Sequence, residues 1–326
     1  MQYLFNPKLK TIRSDWQGNP FKDKQFQYLD NPFYPSFKKL FKWQMQGNPQ
    51  KKEKKADQWR PFIHQDLSYL EGEDDFIVWL GHASFLIQLN GIRMITDPVL
   101  YNLPFLPRFV KLPFDISELK NIDYILLSHD HRDHCDKKSI RHLLKYNQPK
   151  KILAAMRLSN VIGNWVGDTP IEEAAWYQVY ETAGVEITYM PTRHWSRRAL
   201  HDFNRVLWGA FMIKANGKTI YFGSDSGYGA HYAETASYFQ NIDVAILGIG
   251  AYKPALMMQE IHKSPSEAMR AFQDLKAGKM IPMHYGTYDL SDEPISEPYH
   301  HVKDCFEDQG MADQLLRLDV NQPYYL

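Results

Sequence analysis

The sequence predicts an α+β fold, an αββα sandwich in which two β-sheets pack face to face and helices cover the outside. Three observations predict it. Short runs rich in β-branched and aromatic residues dominate both halves of the chain, a few helical segments with clear start signals are interleaved, and the halves share this rhythm without a fixed-period repeat.

Taken in order, residues 1–70 are polar, aromatic and basic, punctuated by Asn19-Pro20, Asn31-Pro32 and Gly47-Asn48-Pro49 and carrying Lys51, Lys52, Lys54 and Lys55. They show no sustained helical or strand period and are read as an extension wrapping a domain that spans 71–326. Strands are predicted at 76–80, 84–89 and 93–96, with Asn90-Gly91 as a hairpin turn between the last two. The wholly apolar Tyr124-Ile125-Leu126-Leu127 reads as a buried strand. A helix follows over 136–145, with Asp136 as N-cap and Ile140, Leu143 and Leu144 inward. A second helix is expected over 170–183, closed by Gly184. Further strands are expected at 185–189, 206–214, 218–222 and 244–247. Then Ser264-Pro265-Ser266-Glu267 opens a helix with a capping box, Gly278 ends it, and 280–283 is the last strand.

Composition narrows the function classes. Lysine plus arginine equals aspartate plus glutamate at 38 each, which argues against a chain built to neutralise nucleic-acid phosphates. Two cysteines exclude a disulfide scaffold and fit a reducing compartment. No stretch approaches the ~20 apolar residues of a spanning helix, and the first residues lack a signal-peptide pattern. The expected location is cytoplasmic, with peripheral attachment to a membrane left open.

The chemistry concentrates in Leu126-Leu127-Ser128-His129-Asp130-His131-Arg132-Asp133-His134, an H-x-H-x-D-H pattern between a buried strand and a capped helix. A strand-end loop is where a rigid scaffold holds functional groups out into a cleft. Imidazole and carboxylate ligate zinc and similar ions. In an extended turn His129 and His131 share a face, while Asp133 and His134 can serve a second point at the ~3.5–4 Å usual for paired metals.

This pattern resembles the metallo-β-lactamase superfamily, and further matches follow in that superfamily's order: His194 in Thr192-Arg193-His194-Trp195, Asp225 in Gly223-Ser224-Asp225-Ser226-Gly227-Tyr228, and His284 in Met283-His284-Tyr285-Gly286, each after a strand. The resemblance implies a metallo-β-lactamase fold with two divalent metal ions. His129, His131 and His194 would hold one metal, Asp133, His134 and His284 the other, and Asp225 would bridge them. Zinc is the default for so many histidines; manganese and iron are compatible. A narrower resemblance, over roughly 76–300, is to the N-acylphosphatidylethanolamine-hydrolysing phospholipase D branch, through Gly81-His82-Ala83-Ser84, Thr96-Asp97-Pro98, Arg193-His194-Trp195, Gly250-Ala251-Tyr252 and His284-Tyr285-Gly286-Thr287. The Gly-His and Thr-Asp-Pro elements are shared with the ascorbate-6-phosphate lactonase group.

The expectation is therefore a binuclear metal-dependent hydrolase of phospholipase D type, in which water between two cations loses a proton near neutral pH and attacks phosphorus. Alternatives are a lactonase of small phosphorylated substrates and a metal-binding sensor without turnover. Asp133, Asp225 and His262 are the expected catalytic residues; His82, Asp97, Arg193 and Tyr228 are expected to orient ligands or meet substrate, and Arg197 and Arg198 to neutralise phosphate. Cys135 is read as a small packed residue. The apolar segment 100–114, broken by Pro104, Pro107 and Pro113, is expected to wall an acyl-chain channel or dip into a bilayer. Expected partners are a small-molecule or phospholipid substrate and a peripheral membrane contact, with a homodimer allowed and no nucleic acid.

Overall fold

The computed structural model describes residues 1–28 and 32–326, so Asn31 of the Asn31-Pro32 pair lies outside the described residues. The first seventy residues carry more structure than their sequence period suggests: β1 (Gln2–Leu4), β2 (Lys10–Thr11), β3 (Asn19–Lys22), β4 (Gln25–Phe26), α1 (Phe37–Gln46) and α2 (Lys51–Ala56). Strands of two to four residues are too short to display alternation, and their pairing is decided elsewhere. β1, β3 and β4 form a small antiparallel sheet, while β2 adds to the edge of a large one. Ser36 caps α1 by accepting from the Lys39 N–H, and Trp43 anchors the helix through an indole bond to Asp292 at 2.7 Å.

The first large sheet contains β5 (Phe76–Trp79), β6 (Phe85–Leu89), β7 (Ile92–Thr96) and β8 (Tyr124–Leu127), then α3 (Lys137–Tyr146) and β9 (Lys151–Ala155). The hairpin turn between β6 and β7 is made by Asn90 and Gly91, both at positive φ as a type I′ turn requires. Asp136 caps α3 through the Ser139 N–H at 2.8 Å. After the short α4 (Ser159–Ile162), β10 (Ile171–Ala174) and β11 (Gln178–Val179) occupy the segment expected to be a helix. There Glu172, Glu173, Ala174 and Ala175 suit a helix, but β10 pairs in parallel with β9 and β11 pairs with β12. Burial of Trp176, Tyr177 and Tyr180 in the core outweighs local propensity.

The second sheet is built from β12 (Glu186–Met190), β13 (Ala210–Ala215) and β14 (Lys218–Phe222), followed by α5 (His231–Tyr238), β15 (Val244–Gly248), α6 (Ala255–Met258), α7 (Pro265–Leu275) and β16 (Lys279–Met283). The capping box at Ser264 and Glu267 forms as the sequence predicts, but α7 ends on Lys276 in the left-handed region rather than at Gly278. Finally α8 (Glu297–Asp308) covers α7, and β17 (Pro323–Tyr325) pairs with β5. The sheet orders are β10-β9-β8-β7-β6-β5-β17 and β16-β15-β14-β13-β12-β11-β2, seven strands each. Their inner faces meet in one core, where Phe85 and Phe222 contact across the sheets at 6.2 Å between ring centroids. This is the predicted metallo-β-lactamase sandwich, an α+β fold.

In each sheet the later strands run parallel, β7-β8-β9 in one and β14-β15-β16 in the other. Their carboxyl ends therefore open onto one rim, the edge at which such sheets collect ligand-binding loops. Among the described residues no helix is long and apolar enough to cross a membrane. Phe222→Ala should cost about 3–5 kcal/mol, the range for emptying a buried aromatic site. Urea denaturation followed by tryptophan fluorescence would read this, and a loss below about 1 kcal/mol would mean that the two sheets do not interlock there.

Candidate metal centre

Six loops at this rim each deliver a candidate ligand or supporting side chain within a few residues. Asp97 follows β7, His129 to His134 follow β8, His194 follows β12, Asp225 follows β14 and His284 follows β16, while His82 sits in the turn from β5 to β6. Five non-glycine residues at the rim take positive φ: His82, Asp97, Ser224, Ala251 and His284. Each such conformation costs of order 1–3 kcal/mol, and such strain persists where the surroundings over-determine it, as at ligand clamps. At Gly250 close approach is the reason for the residue type, because a Cβ there would lie 2.1 Å from the His284 carbonyl oxygen.

The side chains converge into two quartets whose ligand atoms all lie within 4.8 Å of one another: His129, His131, His194 and Asp225 in one, His82, Asp133, His134 and His284 in the other. Asp225 touches both. Its Oδ2 lies 3.6 Å from His194 Nε2 and 3.1 Å from His134 Nε2, and its Oδ1 lies 3.2 Å from His284 Nε2. His262 Nδ1 is 3.9 Å from the same carboxylate. His82, expected only as a supporting residue, stands at ligand distance, with Nε2 3.1 Å from Asp133 Oδ2.

The outer ring nitrogens are oriented by a polar shell. His134 Nδ1 donates to Asp97 Oδ2 at 2.8 Å, His129 Nδ1 to Ser128 Oγ at 2.9 Å, and His194 Nδ1 to the Ile261 carbonyl at 2.9 Å. Asp97 also accepts from the Ser128 N–H and hydroxyl, and Ser224 donates to Ser128 at 2.7 Å. Such partners set tautomer and raise ligand basicity. Ser128 and Ser224 escaped the sequence reading, although Ser128 immediately precedes the histidine motif.

The residues fit divalent cations. His129 Nε2, His134 Nε2, His284 Nε2 and Asp225 Oδ1 are buried without a hydrogen-bond partner among the described residues. Burial holds His129 and His194 neutral and pushes His131 down to about 4 and His262 to about 3. Burial works against ionisation of Asp133 and Asp225, but the clustered histidines outweigh it and keep both carboxyls well below the usual range. Burial likewise opposes charge on His134 and His284, yet Asp225 and Asp133 pull both upward, His284 to about 9. A buried carboxylate and a partly buried one thus demand compensating positive charge, and cations or imidazolium rings both answer that demand.

The centre opens into a chamber of about 530 Å³ that includes His131, Asp133, Asp225, His262 and His284 in its walls. Phe33, Trp195, Met257, Met258, Ile261 and Leu290 make it apolar, and Arg132 and Arg197 also line it. Several expectations are corrected here. The Tyr228 hydroxyl donates to Asp274 at 2.7 Å and its ring lies under Arg270, so it is turned towards α7. Arg193 is held by the Tyr228 carbonyl at 3.1 Å, and Arg198 by the carbonyls of Asp130 and Cys135. None of the three lines the chamber. Segment 100–114 does not wall it either, because Arg108 is buried and binds the carbonyls of Val99, Val110 and Leu80, tying the loop down beside the His82 turn. Cys135 is buried and unpaired.

Comparison with known proteins agrees with this geometry. A family profile described as "Beta-lactamase superfamily domain" matches residues 93–285. The chain is 28% identical over 248 residues to N-acyl-phosphatidylethanolamine-hydrolyzing phospholipase D 1 of Caenorhabditis elegans, covering 71% of this chain and 70% of that protein. It is 29% identical over 248 residues to the mitochondrial N-acyl-phosphatidylethanolamine-hydrolyzing phospholipase D of Saccharomyces cerevisiae, covering 72% of this chain but 53% of the yeast protein. Among solved structures, the metallo hydrolase Igni18 of Ignicoccus hospitalis superposes with a TM-score of 0.59 at 17% identity, over 77% of this chain and 98% of that one.

Asp97→Asn should leave the fold intact and lower metal affinity about 10- to 100-fold, the usual cost of losing an orienting partner. Competition against a chromophoric chelator would measure it, and unchanged affinity would mean that His134 does not depend on Asp97.

Proposed function

The chain belongs to the β-lactamase superfamily domain family and is a metal-dependent hydrolase, and from that premise we propose that it cleaves phosphodiester bonds in amphiphilic lipids of the N-acylphosphatidylethanolamine type. The observation that carries this reading is the junction of the donor cluster with an apolar chamber lined by two arginines. A chamber of about 530 Å³ has room for a lipid headgroup and the start of a chain. Arg132 and Arg197 have no carboxylate partner among the described residues and are held only by backbone carbonyls, at 3.4 Å and 3.0 Å. Guanidinium groups so placed suit a phosphate anion.

Two divalent cations, with zinc the first choice, would supply Lewis acidity and lower the pKa of a bound water towards neutrality. Asp225 sits between the two quartets and Asp133 beside the second, so both carboxylates share in holding that charge. His262 is neutral, faces the chamber and stands beside Asp225, where its ring can orient substrate or water by a hydrogen bond. The apolar walls keep bulk water from the reacting phosphorus.

A lipid substrate must reach the chamber from a surface. Tyr34 lines the chamber, and α1, which follows it, exposes Phe41 and Met45 one turn apart, with Lys38 and Lys42 also exposed. Apolar side chains flanked by lysines match an anionic lipid interface, and α1 is the proposed peripheral membrane contact.

Metal-loaded protein should be assayed on N-acylphosphatidylethanolamine, bis-p-nitrophenyl phosphate and a sugar-phosphate lactone. The lipid should be turned over, chelation should abolish the activity and metal should restore it. Arg132→Ala and Arg197→Ala should each raise KM for the lipid by roughly tenfold, the worth of one hydrogen bond to a charged group. Turnover of the lactone alone would remove the phosphodiesterase reading.

A further inference from the structure

Lys263 lies directly before the capping box of α7 and is buried to 1% exposure, yet it does not line the chamber that its neighbour His262 faces. An ammonium in that place breaks two rules at once. It is taken out of water, which is costly unless charge and hydrogen bonds compensate. It also belongs to the residue before a helix N-terminus, the end that favours negative charge. Local conflicts of this kind gather at functional sites. Burial draws the ammonium down to about 8, with Asp225 and Glu267 pulling the other way, so it keeps its charge at neutral pH. No carboxylate among the described residues lies within ion-pair distance of it. Its Nζ donates to the Ser226 carbonyl at 2.8 Å and stands 5.3 Å from the centre of the Tyr232 ring.

Ser226 follows Asp225, so Lys263 grips the loop that carries the carboxylate one residue beyond it. The same loop is pinned from other directions. The Ser226 hydroxyl accepts from the Arg193 N–H at 3.0 Å and meets His231 Nε2 at 3.0 Å, and the Gly227 N–H donates to the Arg193 carbonyl at 2.8 Å. Gly227 packs so closely on Glu260 that a Cβ would lie 2.5 Å from the Glu260 carbonyl oxygen. His194 in turn donates through Nδ1 to the Ile261 carbonyl at 2.9 Å. The segment 260–263 therefore holds the backbone beside Asp225 through Lys263 and the ring of His194 through Ile261. It sets the two relative to each other, and the Lys263 bond is the charge-assisted one of the pair.

We propose that Lys263 is a positioning residue of the metal centre: by holding the Ser226 carbonyl it keeps the Asp225 carboxylate at the seam of the two donor quartets, in reach of His134, His194 and His284. It acts through the peptide, one residue removed from the carboxylate, and meets no substrate. Its charge adds to that of the cations that the Asp225 carboxylate would share. This role rests on the reading of Asp225 as a ligand of both metals.

Lys263→Met keeps an unbranched apolar stem, and replacing a buried charge by an apolar group of similar volume is often neutral for the fold. The full-length variant should bind cobalt about tenfold more weakly than the parent, the smaller end of the range for losing a partner that orients a ligand. The visible absorption of the cobalt-loaded protein should change with it. In the metal-free proteins, amide hydrogen exchange should be faster in the variant over residues 193–194 and 225–227 and unchanged elsewhere in the second sheet. If Lys263→Met does not fold, Lys263→Gln, which keeps a donor but no charge, makes the same comparison. A folded variant with the parent's cobalt affinity and spectrum would overturn the role. So would exchange that accelerates evenly across the second sheet, because that marks lost packing rather than lost position. A parent chain that takes up no cobalt removes the metal reading and this role together, whereas parent uptake beside an unaffected variant removes the role alone. None of these measurements uses a substrate, so the phosphodiesterase reading stands or falls separately.

Discussion

Burial of two carboxylates at the junction of two sheets is the constraint around which the molecule is arranged. Asp225 is buried and Asp133 partly so, and the imidazoles clustered around them, with the Lys263 ammonium near Asp225, hold both ionised. Charges removed from water in this way are stable only when paired, and one partner too few costs several kcal/mol. The six loops that meet at the rim are therefore not independent, because each brings a ring or a carboxylate that the others need. Five of the positive-φ residues of the chain cluster here for the same reason, since backbone strain is tolerated where the charge balance rewards it.

The polar shell behind the ligands turns that constraint into geometry. Asp97, Ser128 and Ser224 join the ends of β7, β8 and β14, so the same hydrogen bonds that orient His129 and His134 also bind the two sheets together at the rim. Folding and metal affinity are thereby coupled. The substrate-facing side is built on other terms. Its walls are methionine, isoleucine, leucine and aromatic rings from α6, the loop after β12 and the chain before α1, with charge admitted mainly at Arg132, Arg197 and Lys39. Lys39 is already paired with Glu260 at 3.0 Å, which leaves the arginines to meet an incoming anion.

The N-terminal seventy residues take part in both. β2 extends the second large sheet, and Phe33 and Tyr34 line the chamber. These contributions come from segments with little regular pattern, held by single contacts such as Trp43 to Asp292 and Gln50 to Glu297.

By itself the sequence determined the layered fold, because it is written in local pattern: alternating or wholly apolar runs of four to six residues, an Asn-Gly turn and capped helices; the H-x-H-x-D-H motif and the resemblance it carries pointed to the seven candidate donors. It could not show what depends on distance along the chain. The strands at 171–179 look helical until β9 and β12 are beside them, and His82 looks like a turn residue until β16 brings His284 against it with ring centroids 4.1 Å apart. Arg193 stands next to a candidate ligand in sequence and Tyr228 three residues from another, yet Arg193 is held by the Tyr228 carbonyl and Tyr228 by Asp274, away from the chamber. The chamber exists only once the loops have closed, because a cavity is a property of surfaces that meet, and no stretch of chain contains one.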